Sequence, residues 1–551
     1  MKKLLLGGAV AVLAVGAVAW AAQPQIDAGR ILADIKVLSS DAFEGRGPAT
    51  AGETKTVAYL TAQMKAAGLE PAGDKQADGS RAWTQDVPLA RFTTKGPVKV
   101  GVKLNGTAKA WTQGQEIAIR ATLIGDHLTV KDAPVVFAGY GVKAPERNWD
   151  DFKGMDLKGK VVLVLVNDPD FEAGKGDFGG KAMTYYGRWT YKYEEAARQG
   201  AIGFLVIHET APASYGWATV KNSNTNEIFD VIRKDQRTAH APLEGWVQRD
   251  AAAALVKAGG YDFDALKKQA QTREFRPVVL KGVTFSTDYK VDARRVVTHN
   301  VVGAVPGTKY PNERVIYTAH WDHLGIGLPD AKGDKIYNGA LDNASGTSML
   351  LELARASKKA PPPQRTIMFM SVTAEEKGLL GSTYYASAPL YPLATTVAVL
   401  NMDGVGPNGL AHDFTTSGDA PLTLQDELAK VGKAHDRYYS PDPRPEAGSF
   451  FRSDHFPFAK VGVPAISFGG GRDLFEGGKE AGEAKSKAYT ADKYHQPADE
   501  YDPTWDPKGF VADGTLLFEL GQKLANSRIW PEWKPGAEFK ATRDRTKAQR
   551  K

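Results

Sequence analysis

Between residues 296 and 526, apolar runs of strand length alternate with segments of helical period, and this alternation constrains the fold more than any other feature. Residues 295–305, 314–318, 365–373, 396–400 and 465–468 read as strands. Residues 345–357, 378–386, 421–435 and 510–526 read as helices. Strands that take turns with helices predict an α/β fold, a mostly parallel sheet sandwiched by helices. In such sheets ligands bind beyond the carboxyl ends of the strands. His320 follows one predicted strand, Glu375 and Glu376 the next, and Asp403 the third.

The side chains gathered there are of metal-ligand type. The chain has no cysteine, so any metal must be held by His, Asp and Glu. His320, Asp342, Glu376, Asp403 and His495 can close a site for two divalent ions, which needs a shared carboxylate plus one carboxylate and one imidazole for each ion. Asp342 lies in a tight loop between Gly339 and Gly346 that enters a helix, a rigid place for a bridging group. Asp322, two residues after His320, can accept the ring N–H that the metal leaves free. Glu375 and Glu376 are adjacent and cannot both reach one ion without strain, so one is expected as ligand and the other as general base. His299, His323, His412, His435 and His455 lack such support and are expected to be structural. A Gly-x-Ser-x-Gly elbow, a phosphate loop and a His-Glu-x-x-His helix are all absent.

The remainder of the 551 residues is read around that block. Residues 1–21 resemble an export signal: Lys2-Lys3, an apolar stretch, then Ala19-Trp20-Ala21, with cleavage expected after Ala21. The mature protein is expected in the periplasm or outside the cell, with no stable membrane insertion. Residues 22–130 open with two helices and continue as alternating strands, including a hairpin at Asn105-Gly106. Residues 131–275 read as a separate inserted unit with no ligand cluster. Its Tyr185, Tyr186, Trp189, Tyr191, Tyr193, Tyr215 and Trp217 are expected to pack. Residues 276–530 complete the catalytic block, and 531–551 read as a basic, solvated tail. The net charge of +6 sits largely at the two ends, and the near-neutral body gives no footprint for nucleic acid.

At these motifs the chain resembles a known family. Ala319-His320-Trp321-Asp322-His323, Gly339 to Gly346 around Asp342-Asn343, Ala374-Glu375-Glu376-Lys377-Gly378, Asn401-Met402-Asp403 and Tyr494-His495 are together similar to the di-zinc exopeptidases of metallopeptidase family 28. The resemblance implies two zinc ions per chain. It implies that His320 and Asp403 complete one site, Glu376 and His495 the other, and that Asp342 bridges them. It makes Glu375 the general base and Asp322 the acid behind His320, with a cis peptide after Asp342. The implied function is removal of N-terminal residues from peptides through a water between the zincs. Carboxypeptidase or glutaminyl cyclase chemistry, or a non-catalytic binding role, are the alternatives on the same scaffold. Residues 131–275 are similar to the β-rich protease-associated domain often inserted in this family. Phe450-Phe451 stand where some members carry an oxyanion-stabilising tyrosine, so a zinc or another side chain would have to serve.

Overall fold

The computed structural model describes residues 25–550 apart from 226 and 419, so the expected export signal at 1–21 lies outside the described residues. The core is one mixed sheet of sixteen strands. One half runs Ala465–Gly470, Thr396–Met402, Tyr310–His320, Arg365–Val372, all parallel, and is closed by antiparallel neighbours on both sides. The predicted α/β sandwich is therefore present.

Alternation along the strands assigns the two faces. Val315, Tyr317 and Ala319 point to one side, with Ile367, Phe369 and Leu400. There they meet the helices Ala28–Leu38, Gly346–Lys359 and Pro507–Ala525 through Ile31, Leu350 and Leu517. Ile316, Met368, Met370 and Val399 point to the other side and pack on Tyr385 and Phe458 from the short helices Leu380–Ser387 and His455–Lys460. Burial on both faces explains why these strands are nearly continuous apolar runs.

The second lobe grows from the same sheet. The 28-residue strand Val278–Val305 pairs near its end with Arg365–Val372, and in its first half with His127–Phe137. The 21-residue strand Thr84–Leu104 runs antiparallel beside it. The boundary expected between 275 and 276 thus falls just before a strand shared by both lobes. Beyond His127–Phe137 the strands Val161–Leu165, Gly203–His208 and Leu243–Gln248 are parallel, with helices such as Trp189–Gln199 and Arg249–Ala258 beside them. The hairpin expected at Asn105-Gly106 forms with both residues at positive φ, as a two-residue turn between twisted strands requires.

The basic end corrects the expectation of a solvated tail. Trp533 is 2% exposed and Phe539 lies in the same core cluster. Arg543 is buried and donates to Thr396 O at 2.9 Å. Burial pushes its guanidinium down to about 9. The aromatics, not the charges, decide the placement: two large rings bury more apolar surface than solvation of the basic residues can offset. Trp533→Ala should lower stability by about 3–5 kcal/mol, because it opens a cavity and strands Gly462 O, which accepts from Trp533 Nε1. A fall in the denaturant midpoint measures it, and an unchanged midpoint would mean the tail is not part of the core.

Candidate metal centre

Strand ends and the turns after them deliver the site. His320 is the last residue of Tyr310–His320 and Asp403 the first after Thr396–Met402. Glu375 and Glu376 follow Ala374, whose φ of 53° turns the chain sharply beyond Arg365–Val372. Asp342 lies in the turn before Gly346–Lys359, and the Asp342–Asn343 peptide is cis. His495 follows the helix Gly478–Asp492.

These side chains converge in two groups. His320 Nε2 lies 3.3 Å from Asp342 Oδ1 and 3.3 Å from Asp403 Oδ1. His495 Nε2 lies 3.0 Å from Glu376 Oε2 and 3.4 Å from Asp342 Oδ2. Two donors each about 2.0–2.1 Å from a tetrahedral zinc are about 3.3–3.4 Å apart, so the spacing is that of shared coordination. Asp342 offers one oxygen to each group. The chemistry of the donor set, nitrogen and oxygen without sulfur, fits zinc as well.

His323 was expected to be structural, yet it lies in the second group. His323, Asp342 and Glu376 offer ligand atoms within 4.8 Å of one another. His323 Nδ1 is 2.5 Å from Glu376 Oε1, and both are buried without an aligned hydrogen bond. Its position directly after Asp322 was the only local signal, and adjacency alone does not reveal which way a ring points. The other four histidines stay outside: His299 meets Glu53, His412 stacks on Phe475, His435 meets Glu519, and His455 packs against Phe450.

Asp322 also differs from expectation. Its backbone carbonyl, at 3.1 Å, accepts from His320 Nδ1, while its carboxylate stands 3.8 Å away. The carboxylate instead accepts from the amides of Glu375 at 3.0 Å and Glu376 at 3.3 Å, which the turn at Ala374 exposes. A backbone carbonyl orients the imidazole as a carboxylate would, leaving Nε2 for the metal. Asp322 thereby fixes the Glu375-Glu376 turn.

Other supports were invisible in the sequence. Asp499 accepts from the amides of Leu341 and Asp342 at 3.1 and 3.0 Å. Asn343 ties the loop to the neighbouring strand through Met402 O and the amide of Gly404. Arg46, 1% exposed, donates to Trp321 O, Leu38 O, Asn338 O and Gly339 O at 2.7–2.8 Å, and burial pulls it down to about 10. Ser223, from the second lobe, meets His495 Nδ1 at 3.1 Å.

The adjacent glutamates titrate apart. Burial raises Glu375 well above the usual carboxylate range; His320 opposes this, while Asp403, Glu376 and Asp454 reinforce it. Burial also acts on Glu376, but His495 and His323 outweigh it and hold the group at about 2. The two neighbours thus sit in environments that drive their titrations in opposite directions, as in sites that pair an acid–base group with an ionised one. Glu375 Oε2 is 3.9 Å from His320 Nε2, further than either carboxylate that faces that ring.

Two cavities meet at the centre. One of about 490 Å³, between the lobes, is lined by Glu375, Glu376 and His495 on one side and by Tyr185, Trp189, Tyr193 and Tyr215 on the other. Part of the aromatic cluster expected to pack therefore faces open space. The second, of about 330 Å³, reaches Asp342 and Asp403.

Residues 300–517 match the profile of Peptidase family M28. A probable glutamate carboxypeptidase of Arthroderma benhamiae is 30% identical over 257 residues, 42% of this chain and 34% of that protein. A probable zinc metalloprotease of Pyrenophora teres f. teres is 36% identical over 111 residues, 20% of this chain and 22% of the relative. The chain thus spans only a fifth to a third of these curated relatives. An aminopeptidase from Aneurinibacillus sp. strain AM-1 shares the fold at a TM-score of 0.52 and 19% identity. That match covers 93% of this chain and 97% of the other.

Proposed function

As a member of peptidase family M28 through residues 300–517, this protein is, we propose, a zinc-dependent exopeptidase that removes N-terminal residues from peptides. One observation carries the reading: Asp342 divides its two carboxylate oxygens between His320 and His495 at 3.3 and 3.4 Å, the arrangement of a bridging ligand between two ions. In this reading His320 and Asp403 hold one zinc, Glu376 and His495 the other, and His323 steadies Glu376. When bound, the ions supply Lewis acidity that makes water a nucleophile at neutral pH and polarises the scissile carbonyl.

The chain's own residues do the rest. Glu375 takes the proton of the attacking water and delivers it to the leaving amine. Asp322, by gripping the amides of both glutamates, keeps the acceptor and the ligand facing different ways. The second lobe walls the larger cavity, which is where the substrate side chain would lie in this reading. We read 131–275 as a protease-associated domain and 1–21 as an export signal, so the substrates are extracytoplasmic peptides.

Amino-acyl p-nitroanilides assayed beside N-blocked dipeptides, with and without chelator, test the proposal. Hydrolysis of the anilides, abolished by chelation and restored by zinc, is expected. Cleavage of blocked dipeptides alone would make the enzyme a carboxypeptidase, and no hydrolysis of either with zinc bound would make it a binding protein.

A further inference from the structure

The larger cavity holds a buried charge that the mechanism does not use. Arg188 caps the helix Trp189–Gln199 and is 7% exposed. Among the described residues no carboxylate pairs with its guanidinium and no acceptor takes a hydrogen bond from it, and its Nε is buried without a partner. A buried cation normally has an anion beside it, because desolvation costs several kcal/mol per ion. Here burial and then repulsion from Arg452 pull Arg188 down to about 10, which shows a second cation nearby rather than an anion.

Arg452 does not answer that charge. It donates to Ala213 O at 3.0 Å and Ser214 Oγ at 2.6 Å, both neutral, and its Nε is also unpartnered. Most other ions of the wall have partners, while Lys377, next to Glu376 of the metal centre, also lines it. Arg120 pairs with Glu244 at 3.0 Å, His240 lies 3.0 Å from Asp230, and Glu194 accepts from Tyr185 OH at 2.7 Å. Glu375 and Glu376 belong to the metal centre. Two guanidiniums therefore face one cavity with their charge unmet. Arg452 also lines the smaller cavity, so it stands where the two meet.

We infer that Arg188 and Arg452 bind a carboxylate of the substrate, so that this peptidase selects peptides presenting an acidic side chain or a terminal carboxylate at the centre. Guanidinium forks match carboxylate geometry with two parallel hydrogen bonds, which a lone ammonium cannot reproduce. The aromatic wall excludes water and strengthens the pairing. The inference rests on the peptidase reading above.

Two isosteric pairs test it with the zinc-loaded enzyme: glutamyl against glutaminyl p-nitroanilide, and Leu-Gly against Leu-Gly amide. The ratio of kcat/KM, acid over neutral, is expected to exceed ten in at least one pair, and that pair identifies the source of the carboxylate. In Arg188→Met the same ratio should fall at least tenfold, whereas Arg188→Lys should retain part of it. A merely structural Arg188 would lower both members together and leave the ratio unchanged. Ratios near one in the wild type, or ratios that survive Arg188→Met, would overturn the inference while leaving the peptidase intact. Titration of tryptophan fluorescence with glutarate and glutaramide gives a readout that needs no hydrolysis. Tighter glutarate binding, lost in Arg188→Met, supports the site even if the peptidase reading fails, and equal binding of the two probes counts against it.

Discussion

Glu375→Gln should lower kcat by about 10²–10⁴, the usual contribution of a positioned general base, while zinc content stays at the wild-type value. The amide keeps the volume of a side chain that is 9% exposed, so packing changes little. It removes the carboxylate that stands beside His320 Nε2 at 3.9 Å and takes the proton in the proposed reaction. Asp322 is pushed up to about 7 by burial, but its oxygens are occupied by the amides of Glu375 and Glu376. Asp454 is likewise pushed up to about 7 by burial and accepts from Ser382 at 2.5 Å. Glu376 is held ionised between two histidines. The sign of the pH effect follows. A base must be deprotonated to act, so wild-type kcat/KM rises with pH through its titration, and that acid limb should vanish in the variant. Near-normal turnover with the limb intact would remove Glu375 from the mechanism.

How far the sequence could be read depended on whether a feature had a local cause. The strands that end at His320, Val372 and Met402 are buried on both faces and read as unbroken apolar runs, so their order and the candidate ligands at their ends are visible in the sequence. The helix Gly478–Asp492, which carries the chain to His495, is not. Among its residues only Gly482 is buried, so it has no apolar stripe to betray a helical period. The shared strand Val278–Val305 was seen only from residue 295 onward. Its earlier half alternates buried and exposed residues and is defined by partners more than a hundred residues away in His127–Phe137.

In the centre, which side chains converge was legible and their orientation was not. The reading of Asp322 as a ring acceptor failed because the turn at Ala374 offers its carboxylate two amide donors. His323 carries no local mark of its role, because nothing in a run of His-Trp-Asp-His distinguishes an inward ring from an outward one. Arg188 had no motif at all. Its importance comes from the missing partner, which is a property of packing.

Asp342→Asn should have the largest effect on metal content, taking zinc from two ions per chain to at most one. The proposed bridge needs two equivalent anionic oxygens, and Asp342 turns one toward His320 and one toward His495. Asparagine keeps the size but offers one oxygen and one NH₂ group, which cannot ligate. The surrounding supports should survive, because Asp499 holds residues 341 and 342 through their backbone amides and not through the side chain. Activity should fall roughly 10³-fold or more, since a lone ion would no longer combine activation of the water with polarisation of the scissile carbonyl. A second readout does not involve turnover. Zinc at a hundred times its dissociation constant stabilises a folded site by about 2.7 kcal/mol, so wild-type thermal unfolding should shift upward with zinc, and most of that shift should be lost in Asp342→Asn. Asp403→Asn and His495→Ala each touch one group only and should each retain one ion. Two ions bound to Asp342→Asn with an undiminished thermal shift would show that the carboxylate is no bridge. One ion with full activity would show that a single centre suffices.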